Sequence, residues 1–196
     1  HRSTRERVTT LNKFSEANFS VNVHIPQISI MTDPDSLIIV RGNQSTLVAH
    51  YVKEYPPGST YVISPVTFDR YNIGQSTNEI RQLLYNDGRI IYPSESGREL
   101  DPTCDYITNS KTVKGLERDQ VIVYGVSNTR VYKDYNIPEY ELKCLIYVAL
   151  SRARKRLVIV IDDETYHSPN MLDPCLRGYI SMESNYYNNE AVQQCK

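Results

Sequence analysis

Two stretches of the chain carry residue types that can do chemistry. The first is Lys111-Thr112-Val113-Lys114-Gly115-Leu116-Glu117, which runs through Arg118-Asp119-Gln120 into the β-branched Val121-Ile122-Val123. The second is Tyr147-Val148-Ala149-Leu150-Ser151-Arg152-Ala153-Arg154-Lys155-Arg156-Leu157. A guanidinium is always charged and donates several hydrogen bonds in a fork, which suits phosphate oxygens. A glycine such as Gly115 lets the backbone come close to a ligand. Each residue also has a plainer reading. An arginine at a helix C-terminus is usually a solvated partner of the helix dipole, and Glu117 reads equally as a surface carboxylate after a turn. Helical phase places Arg152 on the flank of an apolar stripe, close to Leu145, while Arg154 and Lys155 point away from it. Arg154, Lys155 and Arg156 therefore read as a solvated face rather than a nucleic-acid track.

Other chemistries have less support. Cys104, Cys144, Cys175 and Cys195 are far apart and form no CxxC pair, so neither a zinc site nor a disulfide framework is expected. His1, His24, His50 and His167 share no metal-ligand spacing. Leu157 to Ile161 followed by Asp162-Asp163-Glu164 mimics a strand ending in Mg-binding acids. Such a site needs a phosphate loop, and the sequence holds no GxxxxGK[ST]. The nearest piece, Arg41-Gly42-Asn43-Gln44-Ser45-Thr46, lacks the lysine. The acids are expected to end or cap a strand.

The elements that must position these residues follow from length and pattern. The 196 residues fit one domain or two small ones, and 22 basic against 23 acidic side chains exclude a globally basic nucleic-acid binder. No stretch approaches the ~20 apolar residues of a membrane span, and the start carries no signal pattern. With thiol-only cysteines this suggests a cytosolic or nuclear setting.

Ser3 and Glu6 have capping-box spacing and begin a helix with Val8 and Leu11. Strands are expected at 28–32, 37–40, 61–63, 89–92, 121–124 and 157–161. Helices are expected around Leu47–Val52, ended by Pro56-Pro57-Gly58, and from Ser76 to Asn86. A further helix starts at Pro138, carries the stripe Leu142, Leu145, Ile146 and Ala149, and ends in the basic cluster from Arg152 to Arg156. Alternating strands and helices argue for α/β layers around a largely parallel sheet. After Thr165 the chain turns polar with little periodicity, so 165–196 reads as an extension to a domain at 1–164.

In order and spacing, KGLE (Lys114 to Glu117) and VALSRA (Val148 to Ala153) resemble motifs V and VI of superfamily 1 helicases of the UvrD/Rep type. Other branches usually carry Gln at the position of Lys114. His1-Arg2-Ser3-Thr4 is similar to the end of the family's motif IV. The resemblance implies a RecA-like three-layer domain, the second (2A) of a helicase, which lacks its own phosphate loop and supplies half a site. It implies that Arg152 is an arginine finger, that Arg2 reaches the same phosphate, and that Glu117 meets the nucleotide sugar at the Gly115 turn. It implies that Asn109, Lys111 and Thr112 touch the single strand. ATP and Mg²⁺ are then held mainly by a separate N-terminal RecA-like domain (1A), and the partner is single-stranded DNA, with RNA left open and 3′-to-5′ movement as the family's habit.

The chain departs from the family in three places. Asn109 and Lys111 stand where Thr and His are common. Ser64-Pro65 replaces an aromatic-Arg pair used on DNA. Only 93–103 separates the strand expected at 89–92 from the strand leading into KGLE, where relatives often carry a large 2B domain. These departures keep open a second reading, a degenerate RecA-like module that binds nucleic acid or protein without cycling ATP.

Overall fold

The computed structural model describes residues 5–19, 34–65, 73–94, 100–126 and 137–161. The chain opens with α1 (Arg5–Phe19), and a single 3-10 turn leads into β1 (Leu37–Arg41). Then come α2 (Gln44–Lys53), β2 (Thr60–Ser64), α3 (Ile73–Asn86), the two-residue β3 (Tyr92–Pro93) and β4 (Tyr106–Asn109). β5 (Arg118–Val123), α4 (Glu139–Leu150) and β6 (Ala153–Ile161) complete it. The six strands form one sheet in the order β1-β6-β5-β2-β4-β3, and every pairing is parallel.

Parallel strands need covered faces, and their sequences become continuous apolar runs. β6 is the clearest case. Leu157, Ile159 and Ile161 join the core under α1 and α4 with Phe14, Leu145 and Ile146. Val158 and Val160 join the core under α2 and α3 with Leu47, Val52, Ile80 and Leu84. The result is the three-layer α/β architecture expected from the alternation of elements.

Local chemistry sets the helix ends. The Asn43 side chain caps α2 by accepting from Thr46 N–H at 2.9 Å. Gly88, at φ +75, closes α3, and Arg89 N–H reaches back to Leu84 C=O at 2.8 Å. Pro138 stands at the N-cap of α4, with Glu139 and Glu141 in the first turn.

Four expectations are corrected. The strand expected at 89–92 is only the two-residue β3, Tyr92–Pro93. α3 begins at Ile73 rather than at Ser76. β6 begins at Ala153 rather than Leu157, so Arg154, Lys155 and Arg156 belong to a strand and do not cap α4. Arg152 lies beyond the last residue of α4, in the turn after its C-cap Ser151, so helical phase does not fix its direction. The expected strand at 28–32, the acids 162–164, Ser3 and the extension 165–196 lie outside the described residues. Cys104 and Cys144 are free thiols. Among the described residues no helix is long and apolar enough to cross a membrane, and no cluster of His, Cys, Asp and Glu could hold a metal ion.

Candidate nucleotide half-site at the KGLE–SRA seam

Neighbouring strands bring the two motifs together. Arg118 pairs in register with Ala153, and Arg118 N–H donates to the Arg152 carbonyl at 3.1 Å. The end of KGLE and the arginine of VALSRA therefore meet at the N-terminal edge of β5 and β6. Val113 is fully buried and pins the loop over the core, while Lys114 to Glu117 are exposed. Leu116 N–H closes the turn on the Val113 carbonyl at 2.9 Å. Gly115 sits at φ +85, and a Cβ there would meet nothing within 4 Å. The left-handed backbone calls for glycine, and the space beside it is open.

Arg152 is half-buried. Its Nε donates to the Val148 carbonyl at 3.1 Å, satisfying one of the orphan acceptors at the end of α4. Nε also lies 3.1 Å and Nη2 2.7 Å from Ser151 Oγ. Nη1 makes a long 3.5 Å contact with the Leu116 carbonyl. Among the described residues no carboxylate pairs with it. Arginine carries five N–H donors, so donors remain available beside the open Gly115 turn. Its basic neighbours are spoken for. Arg154 and Lys155 both bond Asp119, each at 2.7 Å, and Arg156 bonds Glu54 at 2.6 Å. Burial pushes the Asp119 carboxyl up, but the hydrogen bonds and charges of Lys155 and Arg154 outweigh it and hold the group below its usual range.

Two buried arginines frame this seam, and sequence reasoning did not single out either. Arg118 donates to the carbonyls of Pro102 at 2.7 Å and Asp101 at 2.9 Å. Its guanidinium lies 4.7 Å from the Tyr61 ring centroid. Arg7 of α1 donates through Nη1 to the Ala153 carbonyl and through Nη2 to the Arg154 carbonyl. No local pattern marks either residue, because their partners are carbonyls distant in the chain.

The expected nucleic-acid group sits elsewhere. Asn109 ends β4 at the C-terminal edge of the sheet, about 20 Å away by the six-residue length of β5. Its side chain is buried and turned onto its own loop, accepting from Lys111 N–H at 2.9 Å and Thr112 N–H at 3.1 Å. Thr112 is half-buried, and its hydroxyl donates to the same oxygen at 3.3 Å. Lys111 is exposed and bonds Glu141 at 2.9 Å. Gly115, Glu117 and Arg152 thus form one group, Asn109, Lys111 and Thr112 another, and Arg2 lies outside the described residues.

The loop Arg41–Thr46 is stitched into the fold. Gly42 N–H bonds the Ile161 carbonyl at 3.0 Å, Gln44 accepts from Gly125 N–H at 2.8 Å, and Ser45 donates to Glu79 at 2.8 Å. A cleft of about 370 Å³ on the flank of α3, lined by Asn78, Arg81, Tyr85 and Arg89 among others, involves neither group.

Residues 106–164, spanning β4 through β6 and both motifs, match the model of the UvrD-like helicase C-terminal domain family. No curated protein matches. Among solved structures the chain is similar to the C-terminal domain of a possible DNA helicase from Lactobacillus plantarum WCFS1. The TM-score is 0.54 at 18% identity, covering 89% of this chain and 93% of that one. That likeness supports the fold. The family match thus covers the segment that carries KGLE and VALSRA, the residues on which the resemblance to the UvrD/Rep type was drawn.

Proposed function

We propose that this chain is the C-terminal motor domain of an ATP-dependent DNA helicase or translocase. ATP and Mg²⁺ are held by a separate N-terminal RecA-like domain that brings the phosphate loop. Arg152 meets the γ-phosphate as charge shifts during transfer, Glu117 meets the nucleotide sugar, and Gly115 lets the loop approach it. The observation that carries this reading is an arginine without a carboxylate partner among the described residues, held at the seam of two helicase motifs. Chain length also supports a role for Arg2. Arg7 is anchored beside Arg152, α1 begins two residues before it at Arg5, and the three links from Arg2 to Arg5 span up to roughly 11 Å.

A γ-phosphate arginine contributes about 10³- to 10⁵-fold in rate, roughly 4–7 kcal/mol of barrier. In the protein joined to its phosphate-loop domain, Arg152→Ala should lower DNA-stimulated ATP turnover by about 10³-fold or more and leave single-strand affinity largely intact. Unchanged turnover would sink the assignment. Closure of the two domains on ATP and reopening after hydrolysis then drive movement, with Lys111 and Thr112 contributing to the grip on single-stranded DNA.

A second reading has its own observation. Ser64 and Pro65, where the family carries a DNA-gripping pair, are buried, and Asn109 is turned inward. A degenerate domain that binds nucleic acid or protein without cycling ATP fits that. It predicts single-strand binding that does not respond to ATP.

A further inference from the structure

We infer that Arg7 is a positioning residue for Arg152, holding the turn from which Arg152 projects and tying that turn to α1. The inference rests on the motor reading for its consequence, but its geometry stands apart from it. Arg7 lies in the first turn of α1 and is 3% exposed, an uncommon position for a charged side chain. Its two terminal nitrogens divide between successive carbonyls, Nη1 on Ala153 and Nη2 on Arg154.

The sheet explains why those carbonyls need a donor. β6 begins at Ala153, whereas β1 joins it only at Leu157. The first residues of β6 therefore have a strand neighbour on one side alone. The β5–β6 register also shifts between Arg118/Ala153 and Gln120/Arg156, so the ladder is irregular there, and Arg7 supplies donors to two partly buried carbonyls that would be costly to leave unpaired. On the other side, Arg118 N–H holds the Arg152 carbonyl at 3.1 Å. Peptide groups at and just after Arg152 are thus fixed from two directions, by β5 and by α1. A guanidinium can span two carbonyls through its fork, while an ammonium is a point charge that cannot reproduce that geometry. Any displacement of α1 is transmitted to the turn that carries Arg152.

The test reads Arg152 directly in the 196-residue chain, by ¹⁵N NMR of its side-chain Nε–H, which bonds the Val148 carbonyl. Arg7→Lys and Arg7→Met should each shift that resonance and speed its exchange. The backbone amides of Ile122 and Val160 should keep their protection in at least Arg7→Lys. An unmoved Arg152 signal overturns the inference. So does loss of protection across the whole sheet in both variants, because that marks a general structural role. In the protein joined to its phosphate-loop domain, Arg7→Lys should lower kcat by about 10²-fold, the scale of a misplaced catalytic group, with nucleotide KM nearly unchanged. It should add nothing in an Arg152→Ala background, and an additive loss contradicts the coupling. Absence of ATP turnover in the unmutated protein defeats the motor reading, while the NMR result still decides the role of Arg7.

Discussion

At the scale of single residues, the fate of each charge depends on its partner. Arg154, Lys155 and Arg156 have carboxylates, Arg118 and Arg7 have backbone carbonyls, and Arg152 has a hydroxyl and the Val148 and Leu116 carbonyls. Arg152 therefore has the most to gain from an incoming anion. Two glycines differ in a way that can be measured. At Gly115 a Cβ has space, so Gly115→Ala should cost about 1–2 kcal/mol for left-handed backbone alone. At Gly58, φ +77, a Cβ would stand 2.2 Å from the Thr103 carbonyl oxygen. Gly58→Ala should therefore lose clearly more in urea denaturation than Gly115→Ala. Equal losses would contradict the account of both turns. The sequence made Gly115 legible through the motif around it. It gave no hint of Arg7 or Arg118, whose roles depend on carbonyls far away in the chain.

At the scale of elements, the apolar runs and stripes were legible because burial on both faces leaves a strong pattern. β1, β2, β5 and the second half of β6 follow that rule, as does α4 behind Pro138. The first half of β6 was not legible, because Arg154-Lys155-Arg156 looks polar until Asp119 and Glu54 stand opposite. The start of α3 was missed for a related reason. A capping-box spacing at Ser76 and Glu79 marks where a helix can begin, yet α3 runs three residues further back.

The Asp119 cluster gives the β5–β6 edge a pH dependence. Burial raises the Asp119 carboxyl, but Lys155 and Arg154 lower it further, leaving it below its ordinary 3.8. Its stabilisation is full above the unfolded-state value and disappears as pH falls through the folded one. Lys155 is raised above 10.5, chiefly by its hydrogen bond to Asp119. Its share is full below the unfolded-state value and is lost as pH rises through the folded one. Thermal denaturation of Asp119→Asn against pH should show a lower Tm at neutral pH that converges with the parent in strong acid. A constant offset at every pH would contradict this.

At the scale of the whole molecule, one parallel sheet carries two groups on opposite edges. The proposed nucleotide half-site lies at the N-terminal edge of β5 and β6, and the candidate strand contacts lie at the C-terminal end of β4. β5 spans the distance between them, and the loop from Asn109 to Glu117 connects them directly. Fold class and the seam could be read from KGLE and VALSRA, while the inward turn of Asn109 needed coordinates. The measurement that bears most directly on the central claim is affinity for ADP with aluminium fluoride, a mimic of the transferring phosphoryl group, relative to ADP alone. It is made in the protein joined to its phosphate-loop domain. Arg152→Ala should lose most of the extra affinity for the mimic, since transition-state analogues report contacts made only as charge shifts. Its affinity for ADP should stay close to that of the parent. Retention of the full preference in Arg152→Ala would mean that this guanidinium does not face the phosphate.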